Sequence, residues 1–352
     1  MEERIPVAVL AATGSVGQRF LQLLNGHPWF EVVSISGSER SIGMRYHEAC
    51  HWGLSEPMPN WVRDMVVVPS TPDAIKTPVV FSALPTNNAQ TIEPAFAQSG
   101  ACVFSNASAY RQAPDVPILL PEVNAEQIGI VDFQRKNRNW NGCIVTNSNC
   151  TAAGISVALK VLYDAFGLDK AFIVSLQALS GAGYPGVSSM DIIDNVIPHI
   201  PGEEEKVALE PRKILGHLKN NAIEFAEFSV SAHTNRVAVV DGHIVCLSVG
   251  LKKRAPISEI IAAFQAYQPP EISRNLPSTP VPVVHVCEDP NHPQPRYDRW
   301  IGKGMTTVVG RVREDEIFDL RMVVLSHNTV RGAAGGSIYN AELLVDQGLA
   351  QV

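Results

Sequence analysis

The sequence predicts an α/β protein with two parts, a doubly wound parallel sheet followed by an α+β unit with a mixed sheet. Short apolar runs alternate with helical patterns through residues 1–149, which is typical of parallel βαβ units. From about residue 171 the β-rich runs lengthen, and hairpin-like turns join several of them. The 352 residues, of which 45% are hydrophobic, are enough for two cores. We expect one domain at residues 1–149, completed by a C-terminal helix at 331–352, and a second domain at 150–330.

The elements of the first part follow from apolar runs of strand length. Residues 7–10 form an uninterrupted apolar run, as expected for a strand that is buried on both faces. Val16, Phe20 and Leu23 then share one helical face, and Asn25-Gly26 is a helix stop. A further helix is predicted at residues 88–99. Further strands are predicted at residues 30–35, 65–68, 79–83, 101–105, 118–120 and 144–146.

The second part is richer in strands than in helices. Helices are predicted at residues 151–166, 191–197, 203–218 and 258–266. Strands are predicted at residues 171–177, 228–232, 235–240, 243–251, 306–312 and 318–325. Asp241-Gly242 is a hairpin signal, so Arg236 and His243 are expected on partner strands.

Charge and cysteine content narrow the class of protein. The formal net charge of −7, from 28 basic and 35 acidic residues, argues against a general nucleic-acid-binding surface. No apolar run approaches the roughly 20 residues that span a bilayer, and the N-terminus has no leader pattern. Six scattered cysteines without a Cys-x-x-Cys pair indicate neither a disulfide framework nor a zinc ribbon. We expect a cytoplasmic protein that binds neither nucleic acid nor membrane.

The turn AATGSVG, residues 11–17, joins the first strand to the first helix, where a dinucleotide docks in such sheets. Backbone N–H groups of Thr13, Gly14, Ser15 and Val16 would face a pyrophosphate at the positive end of the helix. Ala11 stands where the usual fingerprint has its first glycine. The turn alone therefore favours cofactor binding no more than an ordinary strand–helix turn.

The segment after the second strand, SISGSERSIG, bears on the choice of cofactor. An NAD site usually has an acidic residue there for the ribose hydroxyl groups. Here Ser36, Ser38, Arg40 and Ser41 can bind a 2′-phosphate, although Glu39 lies among them. We favour NADP over NAD, the alternative being a solvated loop.

One metal-binding pattern is a false signal. His47 and His51 fit the H-E-x-x-H pattern of zinc proteases, which needs a long helix and a third ligand. Gly43, Gly53 and Pro57 leave little room for such a helix, so no metal site is expected.

The stretch VTNSNCTAAG places Cys150 between a strand and an apolar helix. A thiol at a helix N-terminus is favoured as thiolate by the helix dipole. His243 at a strand start is a candidate base, and Arg236 can bind a carboxylate. The alternatives are a buried structural cysteine, a structural histidine and a surface arginine.

Together, ten stretches resemble the aspartate-β-semialdehyde dehydrogenase family, especially its archaeal and fungal branch. The resemblance covers nearly the whole chain. The matching stretches are AATGSVGQRFLQLL, GSERSIGMRY, VVFSALP, FSNASAYR, VPILLPEVN, TNSNCTAAG, LQALSGAGYPGV, DIIDNVIPHIPGEEEK, TNRVAVVDGH and HNTVRGAAGGSIYNAE. The resemblance implies NADP-dependent reduction of aspartyl phosphate to its semialdehyde, with release of phosphate, in lysine, methionine and threonine biosynthesis.

The resemblance also implies residue roles. Cys150 forms a thioester with the substrate, His243 is its acid–base partner, and Gln177 positions the substrate. Arg236 would bind the substrate carboxylate. Glu204 would bind the substrate ammonium, although Glu203 and Glu205 leave a one-residue ambiguity. The implied phosphate site consists of Arg111, Asn149 and Lys206, and Ser82, Gly183 and Asn340 join the cofactor site.

Other functions remain open at this point. An acyl-CoA reductase for malonyl-CoA or succinyl-CoA would use the same cysteine and cofactor on the same scaffold. N-acetylglutamyl-phosphate reductase is a more remote alternative, and a non-catalytic NADP-binding protein belongs to another class. The resemblance implies a homodimer or homotetramer built on the second sheet.

Overall fold

The computed structural model describes residues 4–350. Its strands are β1 (Ile5–Leu10), β2 (Phe30–Ser36), β3 (Val67–Val68), β4 (Val79–Ser82), β5 (Cys102–Ser105), β6 (Cys143–Thr146), β7 (Leu168–Gln177), β8 (His217–Lys219), β9 (Ala222–Glu224), β10 (Ser229–Arg236), β11 (His243–Leu251), β12 (Val284–Cys287), β13 (Thr307–Glu314) and β14 (Leu320–Ser326). Its α-helices are α1 (Ser15–Leu23), α2 (Tyr46–Ala49), α3 (Asn60–Arg63), α4 (Thr86–Ser99), α5 (Pro121–Asn124), α6 (Val131–Arg138), α7 (Cys150–Phe166), α8 (Ser189–Ile192), α9 (Glu203–Ile214), α10 (Ile257–Ala266), α11 (Pro295–Asp298) and α12 (Gly335–Asp346).

The first sheet is entirely parallel, with strand order β3-β2-β1-β4-β5-β6. Alternate residues of its central strand enter different cores, Val7 and Val9 on one face and Ala8 and Leu10 on the other. The first core also contains residues of α1 and of the C-terminal α12, and the second contains residues of α4. This sheet therefore has helices on both faces, as the alternating pattern predicts, and the C-terminal helix belongs to it.

The second sheet is mixed, with strand order β10-β7-β11-β14-β13-β12. The four central strands β7, β11, β14 and β13 pair antiparallel with one another, whereas the edge strands β10 and β12 pair in parallel with β7 and β13. One face packs on α7 and α10 through side chains such as Val245, Leu247 and Met322. The other face carries half-buried apolar side chains, among them Phe172, Val174 and Ile244.

Several predicted elements differ from the structure. Residues 118–120 make one bridge, from Ile118 to Thr146, and then Pro121 starts α5. The helix predicted at 191–197 ends at Ile192, and Asp194 beyond it has a left-handed backbone, with φ 59°. The helix predicted at 203–218 ends at Ile214, and residues 217–219 form β8. The strands predicted at 228–232 and 235–240 are one strand, β10, and β12 was not predicted.

Within residues 4–350, no helix is both long and apolar enough to cross a membrane.

Candidate active site

A cleft of about 780 Å³ collects loops from both sheets. The first sheet contributes the segments that follow β1, β4, β5 and β6, because the carboxyl ends of parallel strands share one edge. The second sheet contributes the ends of β7 and β10, and the segment before α12 closes the cleft. The lining includes residues 14–17, 83–86, 106–108, 148–150, 180–184, 328–329 and 332–333.

Cys150 is the first residue of α7, directly after the loop that ends β6. The Oδ1 atom of Asn149 accepts hydrogen bonds from the backbone N–H groups of Thr151 and Ala152, at 3.0 and 3.1 Å. This cap fixes the start of a 17-residue helix. The thiol of Cys150 therefore lies at the positive end of the helix, inside the cleft.

Opposing charges act on the Cys150 thiol. Burial and the Glu203 carboxylate raise the pKa of this thiol to about 12, although the Arg111 and Arg236 guanidinium groups act in the opposite direction. Before substrate binds, the thiol is therefore protonated. A ligand that neutralises Glu203 would shift the balance toward thiolate.

His243 is the nearest proton-exchanging group, with Nε2 3.2 Å from Cys150 Sγ. Its Nδ1 accepts a hydrogen bond from the backbone N–H of Ala178 at 3.0 Å. Since a ring nitrogen that accepts a hydrogen bond carries no proton, the neutral ring has its proton on Nε2, facing the sulfur. Burial, with smaller contributions from Arg236 and His327, lowers the pKa of His243 to about 3. The resting pair is thus a neutral thiol beside a neutral imidazole.

Three neighbouring strands bring Arg236, Gln177 and His243 to one edge of the second sheet. Arg236 pairs with Gln177 at the parallel ends of β10 and β7. On the other side of β7, the antiparallel pairing of β11 begins with Ile244 opposite Leu176, so His243 starts that strand beside Gln177. The hairpin predicted from Asp241-Gly242 is wrong, because β7 lies between β10 and β11.

Arg236 lies against the loop that follows β7. Its Nη1 donates to the carbonyl oxygen of Ala178 at 2.7 Å, and its side chain lines the cleft. A Cβ atom at Gly181 would lie 2.9 Å from that Nη1 and 3.2 Å from His243 Cε1. A glycine at 181 therefore lets the loop approach both side chains closely.

Glu203 enters the cleft from the start of α9. Its Oε1 accepts hydrogen bonds from Asn149 Nδ2 at 2.7 Å and from Gln177 Nε2 at 3.1 Å. Its Oε2 lies 3.7 Å from Lys206 Nζ, three residues further along the helix. This carboxylate thus joins the residue before Cys150 to the end of β7.

Glu204, which the sequence favoured over its neighbours, points away from the cleft. Its Oε1 accepts the backbone N–H of Thr234 in β10 at 3.1 Å. The preference rested on its spacing to Lys206, but residues two apart lie on opposite sides of a helix, whereas residues three apart share a face. Of the three glutamates, Glu203 is the one that lines the cleft.

Arg111 and Lys206 supply positive charge at the cleft. Arg111 donates from Nε to the carbonyl oxygen of Asn147 at 2.9 Å and from Nη2 to that of Asn106 at 2.7 Å. Asn149, expected in the phosphate site, lines the cleft; its Oδ1 accepts from the α7 cap and one Nδ2 N–H donates to Glu203, which leaves the second N–H of the amide as a donor.

The turn after β1 lines the cleft through Gly14, Ser15 and Val16, while Thr13 lies outside the lining set. Ala11 adopts φ 55°, the left-handed conformation that glycine occupies at low cost, so the alanine keeps the backbone of the usual fingerprint. A Cβ atom at Gly17 would lie 2.4 Å from the Ala11 carbonyl oxygen. The helix therefore packs directly on the turn.

The segment after β2 presents some of its expected residues to solvent and turns others inward. Ser38 and Arg40 are exposed. The buried Ser36 hydroxyl is hydrogen-bonded to Ser70 Oγ at 2.7 Å and accepts from the backbone N–H of Ala11 at 3.3 Å. The buried Ser41 hydroxyl donates to the carbonyl oxygen of Ser38 at 2.8 Å. Ser38 and Arg40 are therefore the exposed side chains that can meet a 2′-phosphate, although the Ser38 hydroxyl is also hydrogen-bonded to Ser41 Oγ at 3.3 Å.

Two further expected cofactor residues do not reach the cleft. The Ser82 hydroxyl is buried and donates to Glu93 Oε1 at 2.7 Å. Asn340 is fully buried in α12, and its amide faces the protein interior. Gly183 does line the cleft, and its φ of 71° accounts for the glycine. The sequence missed the contribution of Asn328, Thr329 and Gly332.

Among residues 4–350, no group of three His, Cys, Asp or Glu side chains is arranged to hold a metal ion. His47 belongs to the four-residue helix α2 and lies close to the Arg63 carbonyl oxygen, at 2.8 Å from Nδ1.

Comparisons with known proteins find family models, curated relatives and solved structures that match this chain. The family model described as "semialdehyde dehydrogenase, NAD binding domain" matches residues 6–130, and the one described as "semialdehyde dehydrogenase, dimerisation domain" matches residues 159–331. The aspartate-semialdehyde dehydrogenase of Archaeoglobus fulgidus is 49% identical over 98% of this chain and 99% of its own. That of Schizosaccharomyces pombe is 44% identical over 97% of this chain and 98% of its own. A solved structure of the Candida albicans enzyme with NADP is 40% identical, with a TM-score of 0.90, and covers 99% of this chain and 100% of its own.

Proposed function

The chain belongs to the aspartate-semialdehyde dehydrogenase family, and from that premise we propose which of its residues carry the reaction. The protein is an NADP-dependent oxidoreductase that converts L-aspartyl 4-phosphate to L-aspartate 4-semialdehyde and phosphate through a cysteine thioester. This step belongs to lysine, methionine and threonine biosynthesis. The observation that carries the residue assignment is the 3.2 Å contact between Cys150, which lines a cleft that both sheets form, and the buried His243.

The sulfur of Cys150 attacks the acyl carbon of the substrate. The bond between that carbon and the phosphate oxygen breaks, and phosphate leaves with the electron pair and takes up the proton of the thiol, which gives hydrogen phosphate and a thioester on Cys150. NADPH supplies the hydride that reduces this thioester. The carbon–sulfur bond of the resulting hemithioacetal then breaks and returns the thiolate. His243 is assigned as the acid partner, because its Nε2–H faces the sulfur and donates a hydrogen bond to the thiolate that forms; in this tautomer Nδ1 accepts from Ala178, so the neutral ring has no free nitrogen to act as the base for the thiol.

Substrate recognition is assigned to charges around the cysteine. Arg236 binds the α-carboxylate, for which its planar fork is suited, and Glu203 binds the α-ammonium. Gln177 holds Glu203 and faces the acyl group from the end of β7. Arg111 and Lys206 bind the phosphate.

The residues present fit a bound NADP. The first N–H groups of α1 have no partner within the helix and lie at a turn that lines the cleft, which suits a pyrophosphate. Ser38 and Arg40 are the exposed polar groups after β2 and suit the 2′-phosphate. The hydroxyl groups of Ser36, Ser41 and Ser82 are hydrogen-bonded within the protein instead, and the buried amide of Asn340 has no hydrogen-bond partner within residues 4–350.

The alternative functions lack this support. An acyl-CoA substrate of a reductase carries no ammonium group that the buried Glu203 carboxylate beside the nucleophile could bind. A non-catalytic NADP-binding protein would not need Cys150 and His243 in contact.

The domain division and the assembly complete the proposal. We assign residues 1–149 and 331–352 to the cofactor domain and residues 150–330 to the catalytic domain. The half-buried apolar side chains on the open face of the second sheet suit a homo-oligomer, dimer or tetramer, and a match to a family model named for dimerisation agrees. Light scattering of the purified protein gives its subunit number, and a monomer would contradict this part. We also propose a cytoplasmic location, in keeping with biosynthetic relatives.

The test is phosphate-dependent reduction of NADP with L-aspartate semialdehyde, compared with malonate semialdehyde plus CoA and with N-acetylglutamate semialdehyde. We expect turnover only with the first. Cys150→Ala should abolish turnover while leaving NADP binding, measured by fluorescence, unchanged. Turnover with malonate semialdehyde plus CoA, or a substantial rate in Cys150→Ala, would refute the assignment.

A further inference from the structure

Helix α9 carries charged side chains along one face, of which only the first two reach the cleft. Glu203, Lys206, Glu210 and Lys213 follow each other at spacings of three or four residues, so they share a face. Glu210 and Lys213 are each 1% exposed, and neither lines the cleft. Burying a carboxylate and an ammonium is costly unless both are paired and hydrogen-bonded, so their partners indicate their role.

The partners of Glu210 are two parts of the site. Its Oε1 accepts from Arg111 Nη1 at 3.1 Å, and its Oε2 accepts from the backbone N–H of Asn149. Asn149 directly precedes Cys150 and caps α7. One carboxylate therefore ties the cation assigned to phosphate to the start of the helix that carries the nucleophile.

Lys213 holds the chain around the same arginine. Its Nζ donates to the carbonyl oxygens of Arg111 at 2.6 Å and of Ala113 and Val116 at 2.8 Å. Three carbonyl acceptors match the three donors of an ammonium group. The side chain of Arg111 is thus fixed by Glu210, and its backbone is fixed by Lys213, from neighbouring turns of one helix.

These contacts fix the direction of the N–H groups of Arg111 that they leave unused. Arg111 uses its Nε–H and one N–H on each terminal nitrogen for Asn147, Asn106 and Glu210. A guanidinium has five N–H groups, so one remains on each terminal nitrogen. Two donors fixed in one plane suit bidentate binding of a phosphate. We propose that Glu210 is a positioning residue, which with Lys213 aims these two donors at the phosphate while holding the start of α7 in register.

This inference rests on the proposed role of Arg111 in binding phosphate, and its experiment separates the two. The variant is Glu210→Gln: Arg111 and Asn149 donate to different oxygens of the carboxylate, so the NH2 group of the amide would face one of these two donors. Glu205→Gln is the matched control, because Glu205 is exposed on the same helix. In the oxidative direction we expect Glu210→Gln to raise the KM for phosphate tenfold or more, with the KM for NADP within twofold of wild type.

If Glu210 had a purely structural role, its substitution would lower the amount of active enzyme without changing the KM for phosphate selectively. We therefore add a double-variant cycle with Arg111→Ala, in which Glu210→Gln should change the phosphate KM less than twofold. The inference would be overturned if the effects of the two substitutions on the KM for phosphate multiplied independently. It would also be overturned if folded Glu210→Gln had an unchanged KM for phosphate. Glu210→Asp keeps the charge with a shorter reach, and should give an intermediate phosphate KM if the Gln variant does not fold.

A second readout needs no turnover. Phosphate bound at Arg111 shields Cys150, so the phosphate concentration that halves alkylation of Cys150 by iodoacetamide should rise tenfold or more in Glu210→Gln. If wild type does not turn over L-aspartate semialdehyde, the proposed function fails, yet the alkylation assay still tests Glu210. If phosphate protects wild type and Glu210→Gln at the same concentration, only the positioning role fails.

Discussion

Replacing Glu203 with Gln removes one charge from the cleft and little else. The amide has nearly the shape of the carboxylate, and its carbonyl oxygen can still accept from Asn149 Nδ2 and Gln177 Nε2. Glu203 is 7% exposed, so its pairing with a substrate ammonium would be screened little by solvent. A hydrogen bond between charged groups contributes about 1.5–3 kcal/mol, which corresponds to a roughly 10- to 150-fold rise in the KM for L-aspartate semialdehyde.

Glu204→Gln is the control, since that side chain accepts the backbone N–H of Thr234 and is turned away from the cleft. We expect less than a twofold change in the KM for L-aspartate semialdehyde there, and no change in the KM for NADP in either variant. Initial rates of NADP reduction at saturating phosphate give both KM values for each variant. A large effect in Glu204→Gln with none in Glu203→Gln would refute the assignment and restore the choice that the sequence favoured.

The same variant has a second readout at the nucleophile. Because the Glu203 carboxylate raises the pKa of the Cys150 thiol, its removal should lower that pKa. At a fixed pH near 8, the rate of Cys150 alkylation by iodoacetamide should then increase in Glu203→Gln and stay unchanged in Glu204→Gln. A slower alkylation in Glu203→Gln would contradict the stated direction.

Three further predictions concern the nucleophile and its surroundings. A Cβ atom at Gly332 would lie 2.9 Å from the Cα and Cβ atoms of Cys150, so Gly332→Ala should lower kcat at least tenfold. Thermal unfolding should show that the variant is folded, and a kcat equal to that of wild type would contradict the prediction. Gly17→Ala would place a methyl group 2.4 Å from the Ala11 carbonyl oxygen and should weaken NADP binding in a fluorescence titration, whereas unchanged affinity would show that the turn can relax. With the pKa of Cys150 raised to about 12, the thiolate fraction of the free protein grows with pH, so alkylation should accelerate about tenfold per pH unit from pH 7 to 9, and a plateau below pH 9 would count against it.

Hydrophobic periodicity alone predicted most of the strands and helices of the first sheet, because each of these elements has its own uninterrupted pattern. The strands near residues 7, 30, 79 and 102 and the helix that ends at Ser99 lie where the sequence predicts them. The strand predicted at residues 118–120 is wrong, because two flanking prolines limit the pairing of this segment to a single bridge. The helix predicted beyond Ile192 failed because the residues after it adopt left-handed or extended backbone, which hydrophobic spacing does not report.

Within the site, sequence predicted the right residue types more reliably than their partners. A cysteine at a helix start and a histidine at a strand start are local features, and the structure brings their side chains together. Asn149, Ser82 and Asn340 are polar residues in matching stretches, yet their side chains face the helix cap, Glu93 and the interior of α12. Which atom a polar side chain meets depends on groups far away along the chain.

By itself, then, the sequence determined the α/β class, a cysteine at the start of a helix, the turn that suits a dinucleotide and the family resemblance. Those features depend on short stretches of sequence, in which propensity, spacing and helix caps act between residues that are close along the chain. The tertiary structure alone decided that β7 separates Arg236 from His243, that Glu203 and not Glu204 faces the cleft, and that Glu210 ties Arg111 to Asn149. Strand order and the pairing of buried charges are set by packing between distant segments, since a buried charge must find its partner wherever the fold places one.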